Sequence, residues 1–259
     1  MNTLERIVAA HRETDAADAR PVDALLAEAG AVTTTVRSLE GALTATGDLA
    51  VIAEVKRRSP SKGDLAPGLV PGVLAKAYAA GGAAALSVLT DSAFFGGSPV
   101  DLAEARAAVD VPVLRKDFTV SERDVADARL MGADAILLIV AALSDDELTR
   151  FLDLAGRLGL GALVEVHDEL ELERALAAGA SIVGVNQRDL RTFEVDPELA
   201  ARLGRRIPPG VVRIAESGVR DRDDCRRLAD AGYHAVLVGE TLVTAPDPAA
   251  ALRSLKGDV

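Results

Sequence analysis

The chain has 259 residues, of which 49% are hydrophobic and 27% are charged, a composition typical of a globular protein. Its 29 Lys and Arg and 40 Asp and Glu give a net charge of −11, whereas proteins that bind nucleic acid or anionic lipid usually carry the opposite sign. The single cysteine, Cys225, excludes an internal disulfide framework and a cysteine-based zinc site. Because no signal peptide or membrane-spanning apolar run is recognisable, we expect a soluble, cytoplasmic protein.

Residues 1–50 lie outside the pattern of the remaining sequence and predict a helical extension. Leu4, Ile7 and His11 recur at helical spacing, and a second helical pattern follows Pro21. We expect this extension either to cover one end of the following fold or to contribute to its substrate site.

Eight short apolar runs follow, separated by stretches that are typical of helices. Four of the runs come after a Gly that closes the preceding helix, and these glycines recur about every 50 residues. The runs read as strands buried on both faces, as in a parallel sheet. The predicted strands are Val51–Val55, Ala83–Leu89, Val111–Leu114, Ala135–Val140, Ala162–Val166, Ile182–Val185, Val211–Ala215 and Ala235–Val238.

Several of the intervening stretches begin with helix-capping signatures. These are Ser98-Pro99 with Asp101, Ser121 with Asp124, Ser144 with Glu147, and Asp196-Pro197. Eight β-then-α units predict an α/β fold, a (β/α)8 TIM barrel over residues 51–259, which forms a single domain with the extension. An open doubly wound sheet is less favoured, because no first strand leads into a G-x-G-x-x-G turn.

Five charged residues lie at the ends of four predicted strands, where a barrel of this kind builds its active site. Glu54 and Lys56 are two residues apart and share a face, which must be the interior because the opposite face packs against apolar helices. Lys116, Glu165 and Glu216 end three further strands. Each residue alone fits a rim charge or a structural ion pair. Five together in one partly desolvated mouth favour acid and base chemistry, because crowding shifts and couples their titration.

The loops after the seventh and eighth strands are suited to a phosphate. Ser217-Gly218 and Gly239 lie where this fold commonly holds one with backbone N–H groups. Because the overall charge disfavours anions at long range, local cations such as Lys56 must dominate inside the mouth.

Taken together, these motifs resemble the indole-3-glycerol phosphate synthase family over essentially the whole chain. They follow the strands in the same order as in that family. The motifs are Glu54-Val-Lys56-Arg-Arg-Ser59-Pro60, Phe94-Phe95-Gly96-Gly97-Ser98, Leu-Arg-Lys116-Asp-Phe118, Val-Glu165-Val, Gly-Val-Asn186-Gln-Arg188-Asp-Leu190 and Ala-Glu216-Ser217-Gly218.

The resemblance implies closure of an indole ring from 1-(2-carboxyphenylamino)-1-deoxyribulose 5-phosphate, with loss of carbon dioxide and water. It implies no cofactor and no metal. Lys116 would be the general acid that protonates the ketone oxygen, and Glu165 a base for later proton removal. Lys56 would contact the substrate carboxylate or phosphate, and the division of the dehydration among Lys56, Glu54 and Glu165 stays open.

The resemblance also implies binding roles for the remaining motif residues. Asn186 and Glu216 would hold sugar hydroxyls and fix the protonation of the lysines. The phosphate would bind Lys56, Ser217, Gly218, Gly239 and the backbone N–H of Glu240, whose carboxylate replaces a small hydroxyl residue common in the family. The aryl slot would consist of Phe95, Leu114, Phe118 and Leu190, with Ser59 and Arg188 beside it.

Two alternatives are a different phosphate-binding barrel enzyme, such as an isomerase or a Schiff-base aldolase, and a non-catalytic barrel. Related isomerases use a strand-end Cys, which this chain lacks, and a non-catalytic barrel is expected to have lost Lys56, Lys116 or Glu165. The partner we expect is a small phosphorylated molecule. The sequence is compatible with a monomer and leaves weak docking to neighbouring pathway enzymes open.

The three histidines are too dispersed along the chain for a metal site, and we expect surface or packing roles for His11, His167 and His234. Cys225 falls inside a predicted helix and is expected to be an inert packing residue.

Overall fold

A closed barrel of eight parallel strands forms the centre of the molecule, and one or more helices follow each strand. The structure is a computed structural model that describes residues 2–60, 62–189 and 194–257. This architecture confirms the predicted (β/α)8 barrel. The barrel strands are β1 (Ala50–Val55), β4 (Ala85–Leu89), β5 (Val113–Lys116), β6 (Ala135–Ile139), β7 (Gly161–Val166), β8 (Ile182–Asn186), β9 (Val212–Glu216) and β10 (Ala235–Val238), while β2 (Arg58–Ser59) and β3 (Gly63–Asp64) form a small antiparallel hairpin after β1.

Helices cover the outside of the barrel and both of its ends. The extension contains α1 (Thr3–Ala17), α2 (Val22–Ala31) and α3 (Leu39–Thr44). None of the helices in the described ranges is both long enough and apolar enough to cross a membrane. The remaining helices are α4 (Pro71–Ala80), α5 (Pro99–Ala108), α6 (Glu122–Leu130), α7 (Asp145–Arg157), α8 (Glu169–Ala177), α9 (Pro197–Gly204), α10 (Arg222–Asp230), α11 (Glu240–Val243) and α12 (Pro248–Lys256), with a 3-10 turn at Val140–Ala142.

Local sequence signals set the helix ends as predicted. Ser98, Ser121, Ser144 and Asp196 each accept a hydrogen bond from a backbone N–H in the first turn of the following helix. The repeated glycines after the helices adopt left-handed backbone conformations, with φ of 88° at Gly82.

Two strands begin two residues later than predicted, for a backbone reason, and the other starts agree to within one residue. The second strand begins at Ala85 rather than Ala83, because the Ala83 N–H bonds back to the Tyr78 carbonyl and closes α4. The third runs over Val113–Lys116 rather than Val111–Leu114, because Lys116 continues the pairing with β4. The shift places Lys116 at the last position of a strand.

The apolar residues separate into a layer between barrel and helices and a cluster inside the barrel. Along β1, Val51, Ala53 and Val55 pack against the helices, whereas Ile52 joins the inner cluster. This alternation puts Glu54 on the inner face, as predicted from its spacing.

The extension covers one end of the barrel, the first of the two roles that the sequence left open, and it also lines a cavity at the other end. Leu39 and Leu43 of α3 belong to the inner cluster and close one end of the barrel. At the other end, Thr3, Leu4 and Ile7 of α1 line the cavity described below.

Candidate active site

A cavity of about 500 Å³ lies at the carboxyl ends of the barrel strands. Leu114 does not line it, because this side chain is fully buried in the inner cluster. Leu190 lies outside the described residues. The other site residues proposed from the sequence all line the cavity, namely Glu54, Lys56, Ser59, Phe95, Lys116, Phe118, Glu165, Asn186, Arg188, Glu216, Ser217, Gly218, Gly239 and Glu240.

Lys116 is the centre of the polar half of the cavity. Its Nζ lies 3.7 Å from Glu216 Oε2, 3.8 Å from Glu165 Oε2 and 4.0 Å from Glu54 Oε1. All three carboxylates are buried, with at most 3% of each residue exposed. Four separate strands contribute these groups, so the cluster depends on barrel closure.

Lys56 forms a second contact with the same group of carboxylates. Its Nζ lies 2.5 Å from Glu54 Oε2, so Glu54 bridges the two lysines. Gly239 is needed beside this pair, because a Cβ atom there would overlap the Glu54 carboxylate. The Tyr78 hydroxyl donates to the Glu54 carbonyl over 3.2 Å and supports the same strand end from the helix layer.

The crowding changes the pKa values of the central groups in opposite directions. Burial disfavours the charged form of Lys116, but the carboxylates of Glu165, Glu216 and Glu54 outweigh it and raise the lysine pKa. Burial likewise opposes ionisation of Glu165, yet the Lys116 and His167 cations lower its pKa. At Glu216, burial and repulsion from Glu165 raise the pKa well above the usual value. The cavity thus holds a charged lysine, an ionised carboxylate and a carboxyl group biased towards its protonated form.

His167, for which the sequence predicts a surface or packing role, does not line the cavity but contacts Glu165, which does. Its Nε2 is 3.3 Å from Glu165 Oε1, and its Nδ1 is 2.9 Å from Glu171 Oε2. The contact arises because residues two apart along a strand project to the same face, and His167 comes directly after Val166, the last residue of β7. Burial disfavours the imidazolium, but the carboxylates of Glu165 and Glu171 raise its pKa to about 10.

The loop after β9 holds an unusual backbone conformation. Among the described residues, Ser217 is the one non-glycine residue with positive φ, at 67°. Its hydroxyl donates to Asn186 Oδ1 over 2.9 Å, and its carbonyl accepts from Gln187 Nε2 over 2.7 Å. Gly218 follows with φ of 78°, where a Cβ atom would lie 2.7 Å from Val195 Cγ1. These contacts turn the backbone of Ser217 and Gly218 along the cavity wall.

Glu240 follows Gly239 at the rim, and a lysine holds its carboxylate. Lys62 Nζ lies 2.5 Å from Glu240 Oε1, and both side chains are about half exposed. The pair lines the cavity beside Gly239. A rim cation therefore offsets the charge that would otherwise repel an anion.

Aromatic and apolar side chains form the opposite wall. The Phe95 and Phe118 rings lie 6.2 Å apart, and the His11 ring of α1 lies 5.4 Å from Phe118. His11 Nε2 is also 3.0 Å from Asp91 Oδ2, while the other oxygen of Asp91 accepts from the Phe95 backbone N–H. His11 therefore joins the extension to the aromatic wall, which the sequence did not indicate.

His11, Asp91 and Asp117 also bring three ligand-type atoms within 4.8 Å of one another. Hydrogen bonds and ion pairs within the protein already occupy the lone pairs and balance the charges of these side chains. Asp117 accepts from the Thr90 hydroxyl and from Arg115, and Asp91 accepts backbone N–H groups. The group therefore resembles a structural network more than a metal site.

Comparison with known proteins identifies the family. The family model for indole-3-glycerol phosphate synthase matches residues 4–255. The chain belongs to the indole-3-glycerol phosphate synthase family. The synthase of Nocardioides sp. is 58% identical over 80% of both chains, and indole-3-glycerol phosphate synthase 2 of Streptomyces coelicolor is 51% identical over 97% of both. The synthase of Micrococcus luteus is 49% identical over 99% of this chain and 97% of its own.

These findings confirm the function predicted from the sequence, an indole-3-glycerol phosphate synthase, which is a carboxy-lyase of tryptophan biosynthesis. A solved structure, thiamine phosphate pyrophosphorylase from Pyrococcus furiosus, has a TM-score of 0.62 and covers 81% of this chain and 94% of its own. At 18% identity, that similarity concerns the fold alone.

Proposed function

We propose that the cavity binds 1-(2-carboxyphenylamino)-1-deoxyribulose 5-phosphate with its ketone oxygen at Lys116. The position of the Lys116 ammonium among three buried carboxylates is the observation that supports this proposal most directly. The ring carbon that attacks the ketone is a weak nucleophile, so the oxygen needs a well-placed proton donor. Because the carboxylates keep Lys116 charged, the donor is ready when the substrate arrives.

Ring closure begins when this carbon attacks the ketone and Lys116 protonates the oxygen. The carbon carries the carboxylate, which then leaves as carbon dioxide while its bonding electrons restore the aromatic ring. In the dehydration we propose Glu165 as the base that removes a proton from the new ring. Lys56 then protonates the departing hydroxyl. Glu54, which contacts both lysines, balances their charges through these steps.

Binding determinants lie on either side of the lysines. We propose that backbone N–H groups of Gly218, Gly239 and Glu240 hold the phosphate, with Lys56 and Lys62 supplying positive charge. The aryl ring would lie against Phe95 and Phe118, with Leu4 and Ile7 of α1 closing the apolar side and Arg188 and Ser59 at its edge. Asn186 and Glu216 would contact the sugar hydroxyls.

Two properties disfavour the alternative barrel activities. A Schiff-base aldolase needs a lysine whose pKa is lowered so that the neutral amine can attack, whereas the pKa of Lys116 is raised. An isomerase with a strand-end thiol is disfavoured because Cys225 lies buried within α10.

The proposal extends to the organisation and location of the chain. The extension and the barrel would act as a single domain, because Leu39 and Leu43 belong to the inner barrel cluster. A biosynthetic reaction on a phosphorylated metabolite and an unpaired cysteine support a cytoplasmic location.

The role of Lys116 can be tested with purified protein and the appearance of indole fluorescence. Because general acids contribute about 10²–10⁴-fold to a rate, Lys116→Ala is expected to lower kcat by at least about 100-fold. Lys76→Ala removes an exposed lysine on α4 and is the matched control, with unchanged kcat expected. Full activity of Lys116→Ala would remove this residue from the proposed role.

A further inference from the structure

Three ionisable side chains extend from the cavity towards the outside of the barrel. Glu165 faces the cavity from β7, His167 follows the end of that strand, and Glu171 lies in the first turn of α8. The imidazole contacts one carboxylate with each nitrogen, over 3.3 Å and 2.9 Å. Glu171 Oε2 also accepts the His167 backbone N–H over 2.8 Å. Because a carboxylate faces each nitrogen, the doubly protonated ring is favoured.

The two oxygens of Glu165 have different surroundings. Oε1 faces His167, and Oε2 lies 3.8 Å from Lys116 Nζ without a hydrogen-bond partner among the described residues. The residue is 2% exposed, so water cannot solvate the carboxylate effectively. Oε2 is therefore the oxygen available to the substrate, while the contact between Oε1 and His167 holds the carboxylate in place.

The charge on Lys116 does not last through the proposed reaction. Lys116 gives its proton to the ketone oxygen during ring closure, and Glu165 acts as a base only afterwards. Between these steps, burial and the nearby Glu216 both favour protonation of Glu165. His167 is the cation that still contacts Glu165 at that stage.

We propose that His167 is a positioning residue that keeps the Glu165 carboxylate ionised and directs its free oxygen at the substrate, with Glu171 fixing the imidazolium. The proposal rests on the roles proposed above for Lys116 and Glu165. His167 acts through Glu165 and touches no reacting atom itself. The arrangement resembles metal sites in which a carboxylate orients a histidine, with Glu165 in the place of the metal.

The charged groups around Glu165 and His167 determine how the activity of each variant depends on pH. Glu165 faces Lys116 on β5, Glu216 on β9 and His167, and Glu54 on β1 adds a weaker repulsion. Without the imidazolium, Glu165 would take up a proton at a higher pH than in the parent protein. His167→Gln should therefore lose more activity, relative to the parent, as the pH is lowered.

Glu171→Gln should show the opposite trend. His167 faces Glu165 and Glu171, and the loss of one of these carboxylates lets the imidazolium release its proton at a lower pH. The deficit of Glu171→Gln should therefore grow as the pH is raised. A role in packing alone would not produce deficits with opposite pH dependence in neighbouring residues.

The experiment compares kcat and KM of the two variants from pH 5 to pH 9 by indole fluorescence. Residues that orient an active group typically contribute about 10–100-fold, so His167→Gln should lower kcat by that factor and leave KM within about twofold. The matched controls are His234→Gln and Glu147→Gln. His234 lies just before β10, at the end of the barrel away from the cavity, and Glu147 accepts a backbone N–H at the start of α7 as Glu171 does at the start of α8. Both controls should keep the parent kcat and pH profile.

Two outcomes would overturn the proposal: a kcat of His167→Gln within twofold of the controls, or a loss that is the same at every pH. If His167→Gln fails to fold, as judged by its melting temperature, the pH trend of Glu171→Gln decides the question, because that side chain is only partly buried. Failure of this proposal can be distinguished from failure of the proposed function, because full activity of the Lys116→Ala variant would indicate the second kind of failure.

Discussion

A single methyl group added at Gly184 should disturb the lysine cluster without touching a charged residue. Gly184 lies in the middle of β8 and pairs with Glu165 on one side and with Ile214 on the other. A Cβ atom there would overlap Glu216 Oε1 and lie 2.9 Å from Leu163 Cδ1. Because both neighbours are buried, Gly184→Ala must displace the Glu216 carboxylate from its place 3.7 Å from Lys116.

The size of the effect follows from the packing. Overpacking a well-filled interior costs about 1–3 kcal/mol, and the lower entropy of the unfolded Ala chain offsets about 0.4–1 kcal/mol of this. A net loss of about 1–2 kcal/mol corresponds to a Tm lowered by about 2–8 °C in a chain of this size. Since a 1 Å misplacement near reacting groups can cost about 100-fold in rate, kcat should fall by roughly 10- to 100-fold.

Thermal unfolding and indole fluorescence measure the two effects on the same sample. Gly156→Ala is the matched control, because Gly156 lies on the exposed side of α7 with no atom within 4 Å of a new Cβ. Ala is a better helix former than Gly by about 1 kcal/mol, so the control should raise Tm and leave kcat unchanged. If Gly184→Ala retained both the Tm and the kcat of the parent, the inferred displacement of Glu216 would be refuted.

Two further predictions concern groups outside the lysine cluster. Burial lowers the pKa of His11, but Asp91 and Asp117 outweigh this and raise it above 6.5, so its stabilising contribution should be full below pH 6.5 and disappear as the pH rises through the folded-state value. The difference in Tm between the parent and His11→Gln should therefore shrink from pH 6 to pH 9, and a constant difference would contradict the ion-pair assignment. Burial raises the pKa of the Cys225 thiol to about 11, so iodoacetamide at pH 8 should modify it far more slowly in native than in urea-unfolded protein. Equal rates would show that the thiol is accessible.

The parts of the fold that could be predicted depend on interactions within a few residues. A serine or aspartate cap acts on the next three N–H groups, and a glycine ends the helix just before it, so both are visible in the sequence. Alternation along a strand likewise placed Glu54 and Lys56 on one face. The strand start at Val113 escaped prediction, because it depends on where the neighbouring strand pairs. The contact between His167 and Glu165 follows the same alternation, but the sequence did not indicate that Glu171 of α8 contacts the other imidazole nitrogen.

By itself the sequence determined the number and order of the barrel strands, and thereby which residues lie at their carboxyl ends. It also determined the family, because the motif residues keep their order along the whole chain. Only the tertiary structure decided how deep each side chain sits: Leu114 lies below the cavity, while Leu4 and Ile7 reach it from α1. The physical reason is that barrel closure fixes the stagger between strands, and this stagger sets the few ångströms that separate Lys116 from its three carboxylates.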